Sequence, residues 1–461
     1  MKVKIATYWE QMKASYWLVP GLMSIGAVVL FVIAYSLDRQ FRLHRFDIWL
    51  LSNRPEAARD MLTTVAASLI TVGGVAFSVT IGAVAYASMQ FGPRLLTSFM
   101  KDRGNQLALG TFIATFLFSL LVLLTVRGRE AEGGAFVPHL AITLDLVLVL
   151  SSLGVLIYFF HHVPESIHVF NLLADVGGQF NRMVCDLFPE CIGDGSPVEH
   201  ESPIDLPANF AAESRLIRIR TDGYIQAVDD EGLFELACEN ELVLEMIHQP
   251  GDFVNRDRVV VLAWPAHRIS DDLAATIAGA YVVGAQRTSY QDPVFLIKEL
   301  IEIAARALST GQNDPYTAIT CINWLGSNLV ALAGRQTPAS GRFDEHQRLR
   351  VIAQPVTFDR LADTVFDGLR PYVKNDANVA VHLMDTIRWI APQLRTHRQR
   401  QVLRGHAEAL AVSCADQLEH DRNLTIFQDL YRSALTSLTR EQDEFAEAEP
   451  PNISHAVRQQ G

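Results

Sequence analysis

The sequence has none of the short motifs that mark the common enzyme classes. A nucleophile elbow, a P-loop, a dinucleotide-binding glycine fingerprint, an HExxH run and a paired CxxC element are all absent. Gly73 and Gly74 form no phosphate loop, because they lie in the middle of a long apolar run. We therefore expect no enzymatic activity, no catalytic residue, no bound metal and no cofactor.

Cysteine is scarce and irregularly placed. The chain of 461 residues has five cysteines, all in its second part: Cys185, Cys191, Cys238, Cys321 and Cys414. An odd number at irregular spacing matches neither a disulfide framework nor a zinc site. A reducing compartment is therefore expected for this part of the chain.

Positive charge is scarce after residue 160. The chain carries 39 Lys and Arg against 51 Asp and Glu. Residues 1–160 have a net charge of +4 and the remainder has −16, which together give the net charge of −12. Binding to the phosphates of nucleic acid requires a basic face. Nucleic acid is therefore excluded as the main partner.

The first part of the chain, residues 1–160, is rich in long apolar runs. Four of them, at about 17–37, 61–90, 107–126 and 140–160, predict a transmembrane domain over residues 1–182 with the lipid bilayer as its partner. An even number of spans places both termini on one side. Six Lys and Arg flank the membrane on that side and seven on the other, so the positive-inside rule does not decide the orientation. The unpaired cysteines favour cytoplasmic termini.

The second run is unusually rich in small and hydroxyl residues. Five of them follow helical spacing and form one stripe, which we call the hydroxyl stripe: Thr64, Ser68, Thr71, Ser78 and Gly82. Such residues let helices approach closely, or they line a hydrated path. We expect this helix to lie inside an assembly of several copies of the chain, and both readings of the stripe stay open.

Asp145 is the one acidic residue inside a predicted span. An acid in hydrocarbon is a functional candidate by default, because burying it without a partner is costly. It lies near the start of its helix, so it could also reach the interface or pair with Arg127 or Arg129. The sharper hypothesis is a ring of Asp145 side chains around a pore shared by several copies, which would favour cations.

The chain leaves the membrane through two polar segments. After the second span comes a sequence that bends the helix and brings an arginine to the interface: Gln90, Phe91, Gly92, Pro93 and Arg94. After the fourth span come His161, His162, Glu165 and His168. His161, Glu165 and His168 would share one face of an unbroken helix and could then hold a metal. Because Pro164 interrupts the run, we predict a hinge here and no metal site.

The second part of the chain predicts a soluble α+β region. Residues 183–213 form a connector rich in Pro, Gly and acidic residues. Apolar runs at 216–220, 224–228, 242–248 and 259–264 predict strands of a small β-domain over 214–268. Residues 269–438 predict a helical domain with an up-and-down bundle. Residues 439–461 form an acidic tail with a composition typical of disorder.

Two helix starts of the same design stand out in the soluble region. In each, an Asp that can cap a helix precedes a Pro suited to its first position: Asp292 before Pro293, and Asp314 before Pro315. This design leaves Arg287, Arg306 and Asn313 unexplained. An anionic ligand or a phosphate headgroup held by the two arginines is the alternative to a purely architectural motif.

The chain resembles the bacterial predicted membrane protein family called domain of unknown function 2254. The residues that carry the resemblance are Gln90, Phe91, Pro93, Arg94, His161 and His162, together with the run 286–334. Gly92 is a mild departure from the family pattern. The resemblance implies four N-terminal spans, a soluble C-terminal region and the inner membrane of a bacterium.

Two functions follow as hypotheses. The first is a homo-oligomeric channel or transport-like protein, in which the second span lies near the symmetry axis and the cytosolic part regulates it. Four spans are few for a transporter that works as a monomer, so this reading needs several subunits. The alternative is a membrane-anchored scaffold or sensor without transport activity.

Overall fold

A computed structural model describes residues 17–41, 55–92, 102–127, 136–166, 168–188, 206–207, 209–418 and 423–439. Most of the predicted connector, the acidic tail, Pro93, Arg94 and Arg129 lie outside the described residues. The chain divides into two compact units. The first draws on Met1–Gly178, Pro207–Arg306 and Gly341–Gln354, and the second on Gln179–Leu206, Ala307–Ser340 and Pro355–Gly461.

The first unit begins with the four predicted membrane spans, which are confirmed as helices long and apolar enough to cross a bilayer. They are α1 (Leu18–Phe41), α2 (Pro55–Phe91), α3 (Arg103–Thr125) and α4 (His139–Ser166). With 37 residues, α2 is about 55 Å long, well beyond the roughly 30 Å of a hydrocarbon core. One end of α2 therefore extends out of the membrane.

Helix α3 holds the membrane part together, because it packs against each of the other three helices. Phe118 and Val122 of α3 are fully buried with Leu62 of α2 and Ile142 of α4. Hydrogen bonds from α4 to α1 also stabilise this end of the helix bundle. Asp38 accepts hydrogen bonds at 3.0 Å from the amides of Leu140 and Ala141, and so caps the start of α4.

Beyond the membrane helices come α5 (Val169–Leu187), the short α6 (Phe210–Glu213) and two small sheets. The strands are β1 (Arg215–Arg218), β2 (Gly223–Val228), β3 (Val243–Met246), β4 (Phe253–Val254), β5 (Val259–Trp264), β6 (Tyr281–Gly284), β7 (Gly341–Phe343) and β8 (Leu349–Ala353). One sheet has the order β1-β5-β3-β8-β7 and the other β4-β2-β6. All pairs are antiparallel except β3 with β8.

The four predicted strands are present, but the β-region is larger than residues 214–268. Helices α7 (Asp230–Glu239) and α8 (Asp271–Gly279) connect its strands, and β6, β7 and β8 come from farther along the chain. Leu244 of β3 pairs with Val351 of β8, about a hundred residues away in sequence. The apolar faces of both sheets and of α7 and α8 form one core that includes Ile225, Leu233 and Val261.

Helix α9 (Pro293–Ala307) ends at the boundary between the units. The described residues of the second unit are helical. This unit contains α10 (Pro315–Ala333), α11 (Phe358–Val373), α12 (Ala377–Ile390), α13 (His397–Leu418) and α14 (Asn423–Thr439). Helix α12 packs against α10 and α14, and α13 packs against α11 and α14. Their shared core includes Leu325, Leu369, Leu383 and Leu403.

Candidate functional site

Four buried polar side chains meet between α3 and α4 in the membrane part. We call them the α3–α4 polar cluster: Thr115, Ser119, Asp145 and Ser152, each at most 2% exposed. Ser119 Oγ lies 2.5 Å from Asp145 Oδ1 and 2.9 Å from the carbonyl oxygen of Thr115. Thr115 Oγ1 lies 3.0 Å from Ser152 Oγ. The cluster is the candidate functional site, because an ionisable group inside a membrane is a functional candidate by default.

The Ser119 hydroxyl has a single proton and two acceptors within reach. When Asp145 is ionised, Ser119 can donate to it. When Asp145 carries a proton, Asp145 can donate to Ser119, and Ser119 can donate to the Thr115 carbonyl. The cluster can therefore hold Asp145 in either protonation state with its Oδ1 hydrogen-bonded. Asp145 Oδ2 has no hydrogen-bond partner among the described residues.

The cluster corrects two expectations for Asp145. The side chain is fully buried against Ser119 of its own chain, so in this structure it cannot form a ring around a pore between several copies. It also does not pair with Arg127, which is exposed at the membrane end and whose backbone bridges to Phe136. The helices of a single chain already enclose the acid, and this leaves no face of it for a partner subunit.

A second polar position lies toward the other end of the bundle. Asn105 of α3 is 2% exposed, and its side-chain amide has no hydrogen-bond partner among the described residues. It lines a narrow space between helices with Thr80 of α2 and Phe159 of α4. The ten residues from Asn105 to Thr115 correspond to roughly 15 Å along α3. Phe112 and Phe159 belong to the apolar cluster that occupies this interval.

The hydroxyl stripe of α2 faces away from the rest of the chain. Thr64, Ser68, Thr71, Ser78 and Gly82 are all exposed, and each hydroxyl donates to the carbonyl four residues earlier at 2.7–2.9 Å. The opposite side of α2 is buried, with Leu62, Ala66, Leu69 and Ala76 packed inward. The predicted stripe therefore exists as a continuous surface, and nothing in its own chain covers it among the described residues.

At the membrane exit, His162 makes the closest contact of the predicted hinge residues. Its Nε2 lies 2.8 Å from Asp102 Oδ2, and Asp102 also caps the start of α3 by accepting from the Gly104 amide. The ring of Tyr158 stacks on His162 at 5.0 Å between centroids. These contacts join the beginning of α3 to the end of α4.

The other predicted hinge residues do not form a site together. Helix α4 continues through Pro164, where His161 and Glu165 form an exposed pair at 3.6 Å. His168 lies beyond the end of α4 and packs on Phe170. Gln90 donates to the hydroxyl of Tyr86 at 3.3 Å. Phe91 is the last residue of α2.

Gly92 follows α2 and reaches the soluble part of its unit. Its φ of +110° is in the left-handed region, and a Cβ built there would lie 2.7 Å from Glu302 Oε1 and 3.2 Å from Arg306 Nε. Arg306 in turn lies 3.3 Å from Glu302 Oε1. The end of the second span therefore lies against the last turns of α9, and the positive φ of residue 92 favours glycine there.

The two helix starts with Asp before Pro in the soluble region are architectural in this structure. Asp292 is 2% exposed, caps α9 by accepting from the Phe295 amide, and forms an ion pair with Arg287 at 2.5 Å. Asp314 caps α10 by accepting from the amide and hydroxyl of Thr317. Asn313 has a φ of +46° in the turn before it. Both capping predictions are confirmed, and Arg287 and Arg306 each face a carboxylate of their own unit.

Sequence reasoning found Asp145 but missed Thr115, Ser119, Ser152 and Asn105. Hydroxyl residues are common in membrane helices, and no local signal separates those that meet a neighbouring helix from those that bond only to their own backbone. A helical projection that placed Ser119 and Thr115 on one face of the third span was the available clue.

Comparison with known proteins places the chain in a family. Residues 13–388 match the family described as predicted membrane protein, domain of unknown function 2254, and the chain belongs to that family. The resemblance drawn from the sequence is confirmed. Uncharacterized proteins of Mycobacterium tuberculosis and Mycobacterium bovis are each 34% identical over 303 residues, which are 65% of this chain and 57% of theirs. The matched region thus spans just over half the length of these curated relatives. No solved structure matches the chain.

Proposed function

We propose that this family member is one subunit of a homo-oligomeric channel or transport-like protein of the bacterial inner membrane. In this proposal the hydroxyl stripe of α2 faces other copies of the chain around a common axis. Both termini and the soluble region lie in the cytoplasm, where the soluble region regulates the membrane part. The α3–α4 polar cluster lies inside each subunit and binds or relays a proton or cation.

The observation that carries the proposal is the outward direction of the hydroxyl stripe. In a bilayer, helices associate through close packing of small residues. Large apolar side chains drive association less, because they contact lipid acyl chains as well as they contact another helix. Gly74 and Gly82 have open space where a Cβ would be, so another helix could approach the α2 backbone closely. A second copy of the chain suits this surface, because two identical stripes are complementary in size.

Free thiols support the cytoplasmic orientation. Among the described residues, Cys185, Cys238, Cys321 and Cys414 are free thiols, although Cys185 is exposed. Proteins kept in oxidising compartments usually pair such thiols. The orientation predicts that Cys185 is protected from a membrane-impermeant thiol reagent in intact cells and becomes labelled after the cells are permeabilised.

Disulfide cross-linking tests the oligomer. Ser68 and Ile70 are both exposed and nearly equal in depth, but at 100° per residue they lie about 200° apart around α2. We expect Ser68→Cys to form a covalent dimer in native membranes on mild oxidation. Ile70→Cys, the matched control, stays monomeric, as does the native chain. Equal cross-linking of the two variants, or of neither, contradicts a stripe that faces a second copy.

Ion flux in proteoliposomes tests the transport activity. A bulky Ser78→Leu substitution in the stripe is expected to reduce flux several-fold, whereas Val79→Leu, on an exposed neighbouring face, leaves it unchanged. Zero flux for the native chain at every pH, voltage and membrane tension, with the oligomer intact, removes the channel and leaves the scaffold or sensor. One observation favours the scaffold or sensor. Phe112 and Phe159 lie in the apolar cluster between Asn105 and the α3–α4 polar cluster, so apolar side chains separate these two polar positions.

A further inference from the structure

An open cavity of about 440 Å³ lies in the β-region, apart from the membrane helices and from the capped helix starts. Three arginines line it: Arg218, Arg256 and Arg258. Arg218 is the last residue of β1, and the other two lie in the turn between β4 and β5. His248, which follows β3, completes the polar wall. All four side chains are therefore placed by the ends of paired strands.

Hydrogen bonds hold two of the guanidinium groups in place. Arg218 Nη1 donates to the carbonyl oxygen of Asp257 at 2.6 Å. Arg258 Nε donates to His248 Nε2 at 3.3 Å. A guanidinium group only donates, so His248 Nε2 is the acceptor and the ring proton is on Nδ1, which faces Asp252 Oδ2 at 3.4 Å. Asp252 and His248 thus orient Arg258.

The turn that carries the arginines is itself fixed. Asp257 has a φ of +66°, and its amide donates to the carbonyl of Ile219 at 2.9 Å. The amide of Arg256 donates to Asp222 Oδ1 at 2.6 Å. A ligand would therefore meet a cavity rim whose backbone is already ordered, which reduces the entropy lost on binding.

The charges of these arginines are not compensated by ion pairs. Among the described residues, none of the three guanidinium groups has a carboxylate partner. Elsewhere in the same unit Arg215, Arg268 and Arg350 pair with Asp271, Glu241 and Asp344, respectively. Asp257 is the one acidic residue among the described residues that line the cavity. Asp222 and Asp252 lie behind its rim, where they bond to the Arg256 amide and face His248, respectively, so the lining itself keeps an excess of positive charge. That excess is notable in a region that is strongly acidic as a whole.

The walls also indicate the kind of ligand. Ile247 and Val259 are the apolar lining residues, and no aromatic ring lines the cavity to stack on a base. Planar guanidinium groups match the oxygen geometry of phosphate. We infer that this cavity is a binding site for a phosphate group, carried by a small phosphorylated solute or by a phospholipid headgroup. The inference holds whether or not the membrane part conducts ions.

Binding measurements on the full chain test the site with two probes. The first is pyrophosphate, titrated by calorimetry into the protein in detergent micelles. The second is phosphatidic acid, offered in phosphatidylcholine nanodiscs and detected by native mass spectrometry of the released protein. We expect saturable binding of at least one probe, weakened about tenfold or more in Arg218→Gln/Arg258→Gln.

Two further variants make the result decisive. Arg256→Gln removes a guanidinium group that has no hydrogen-bond partner among the described residues, so it should weaken binding without affecting folding. Arg220→Gln removes the same charge from an exposed residue that does not line the cavity, and it should bind like the native chain. Loss of pyrophosphate binding in the cavity variants identifies a soluble ligand, and loss of phosphatidic acid identifies a lipid. No saturable binding of either probe, or equal weakening by Arg220→Gln, overturns the site.

Discussion

At the scale of single residues, the environment of Asp145 is set by one hydroxyl. Ser119 and Asp145 are both fully buried, and the Ser119 oxygen lies 2.5 Å from the carboxylate. Removing one member of a buried polar pair costs more than removing both, because the remaining member keeps its desolvation penalty. The cost of losing Ser119 therefore depends on whether Asp145 is present.

This dependence predicts the outcome of a double-mutant cycle. Ser119→Ala is expected to lower the stability of the membrane part by about 1–3 kcal/mol, because it leaves the acid without its donor. In an Asp145→Leu background the same substitution should cost much less. Thermal unfolding in detergent micelles measures both. Ser151→Ala is the matched control, since Ser151 is exposed on α4 and bonds only to the carbonyl of Val147. Equal costs in the two backgrounds would show that the residues are not coupled.

Single residues also show how far the sequence could anticipate the site. Asp145 was identified because a charged residue in an apolar run is visible without any structure. Its partner Ser119 was not, because the choice among several hydroxyls depends on how α3 is rotated against α4. For the same reason the sequence did not indicate that the rotation of α4 points the acid into its own bundle and toward Ser119.

At the scale of helices and strands, α10 and α12 of the second unit pack closely at a glycine. Gly326 of α10 lies against α12 where a Cβ would be 2.7 Å from both Thr386 Cγ2 and Trp389 Cζ2. Thr386 is 1% exposed and cannot move outward. The crossing of these two helices therefore depends on the absence of a side chain at residue 326.

A methyl group at this crossing should separate the helices. We expect Gly326→Ala to destabilise the second unit by about 1–3 kcal/mol through overpacking, although alanine favours a helix. Gly405→Ala in α13 is the matched control: its Cβ would meet open space, so stability should rise by about 0.5–1 kcal/mol. Hydrogen exchange of the α10 and α12 amides measures the change. A gain in protection for both variants would contradict a tight crossing.

The elements that the sequence predicted are those that local chemistry determines. The four spans and the caps Asp292 and Asp314 depend on residues within a few positions of each other. Strands β4, β6, β7 and β8 were missed, since they are two to five residues long and are stabilised by partners elsewhere in the chain. Leu244, for example, requires Val351 as its neighbour, and no local pattern marks that pairing.

At the scale of the whole molecule, the first unit joins the membrane helices to the soluble region through the end of α2. Helix α2 is longer than the bilayer is thick, and Gly92 at its end contacts Glu302 and Arg306 of α9. A movement of α2 along its axis would therefore press on the last turns of α9. Such a contact is what a regulatory soluble region would need in order to act on the membrane part.

Substitution of Gly92 tests this connection. In Gly92→Ala a φ of +110° is strained for any residue other than glycine, and the Cβ also displaces the Glu302 carboxylate, so the contact should be weakened. We expect the α9 amides to exchange about tenfold faster, which corresponds to about 1.4 kcal/mol. Gly154→Ala is the control, because it makes the same change in a membrane helix, α4, at a position with open space. If α9 exchanges equally in both variants and in the native chain, the end of α2 does not support α9, and the membrane and soluble regions communicate by another route.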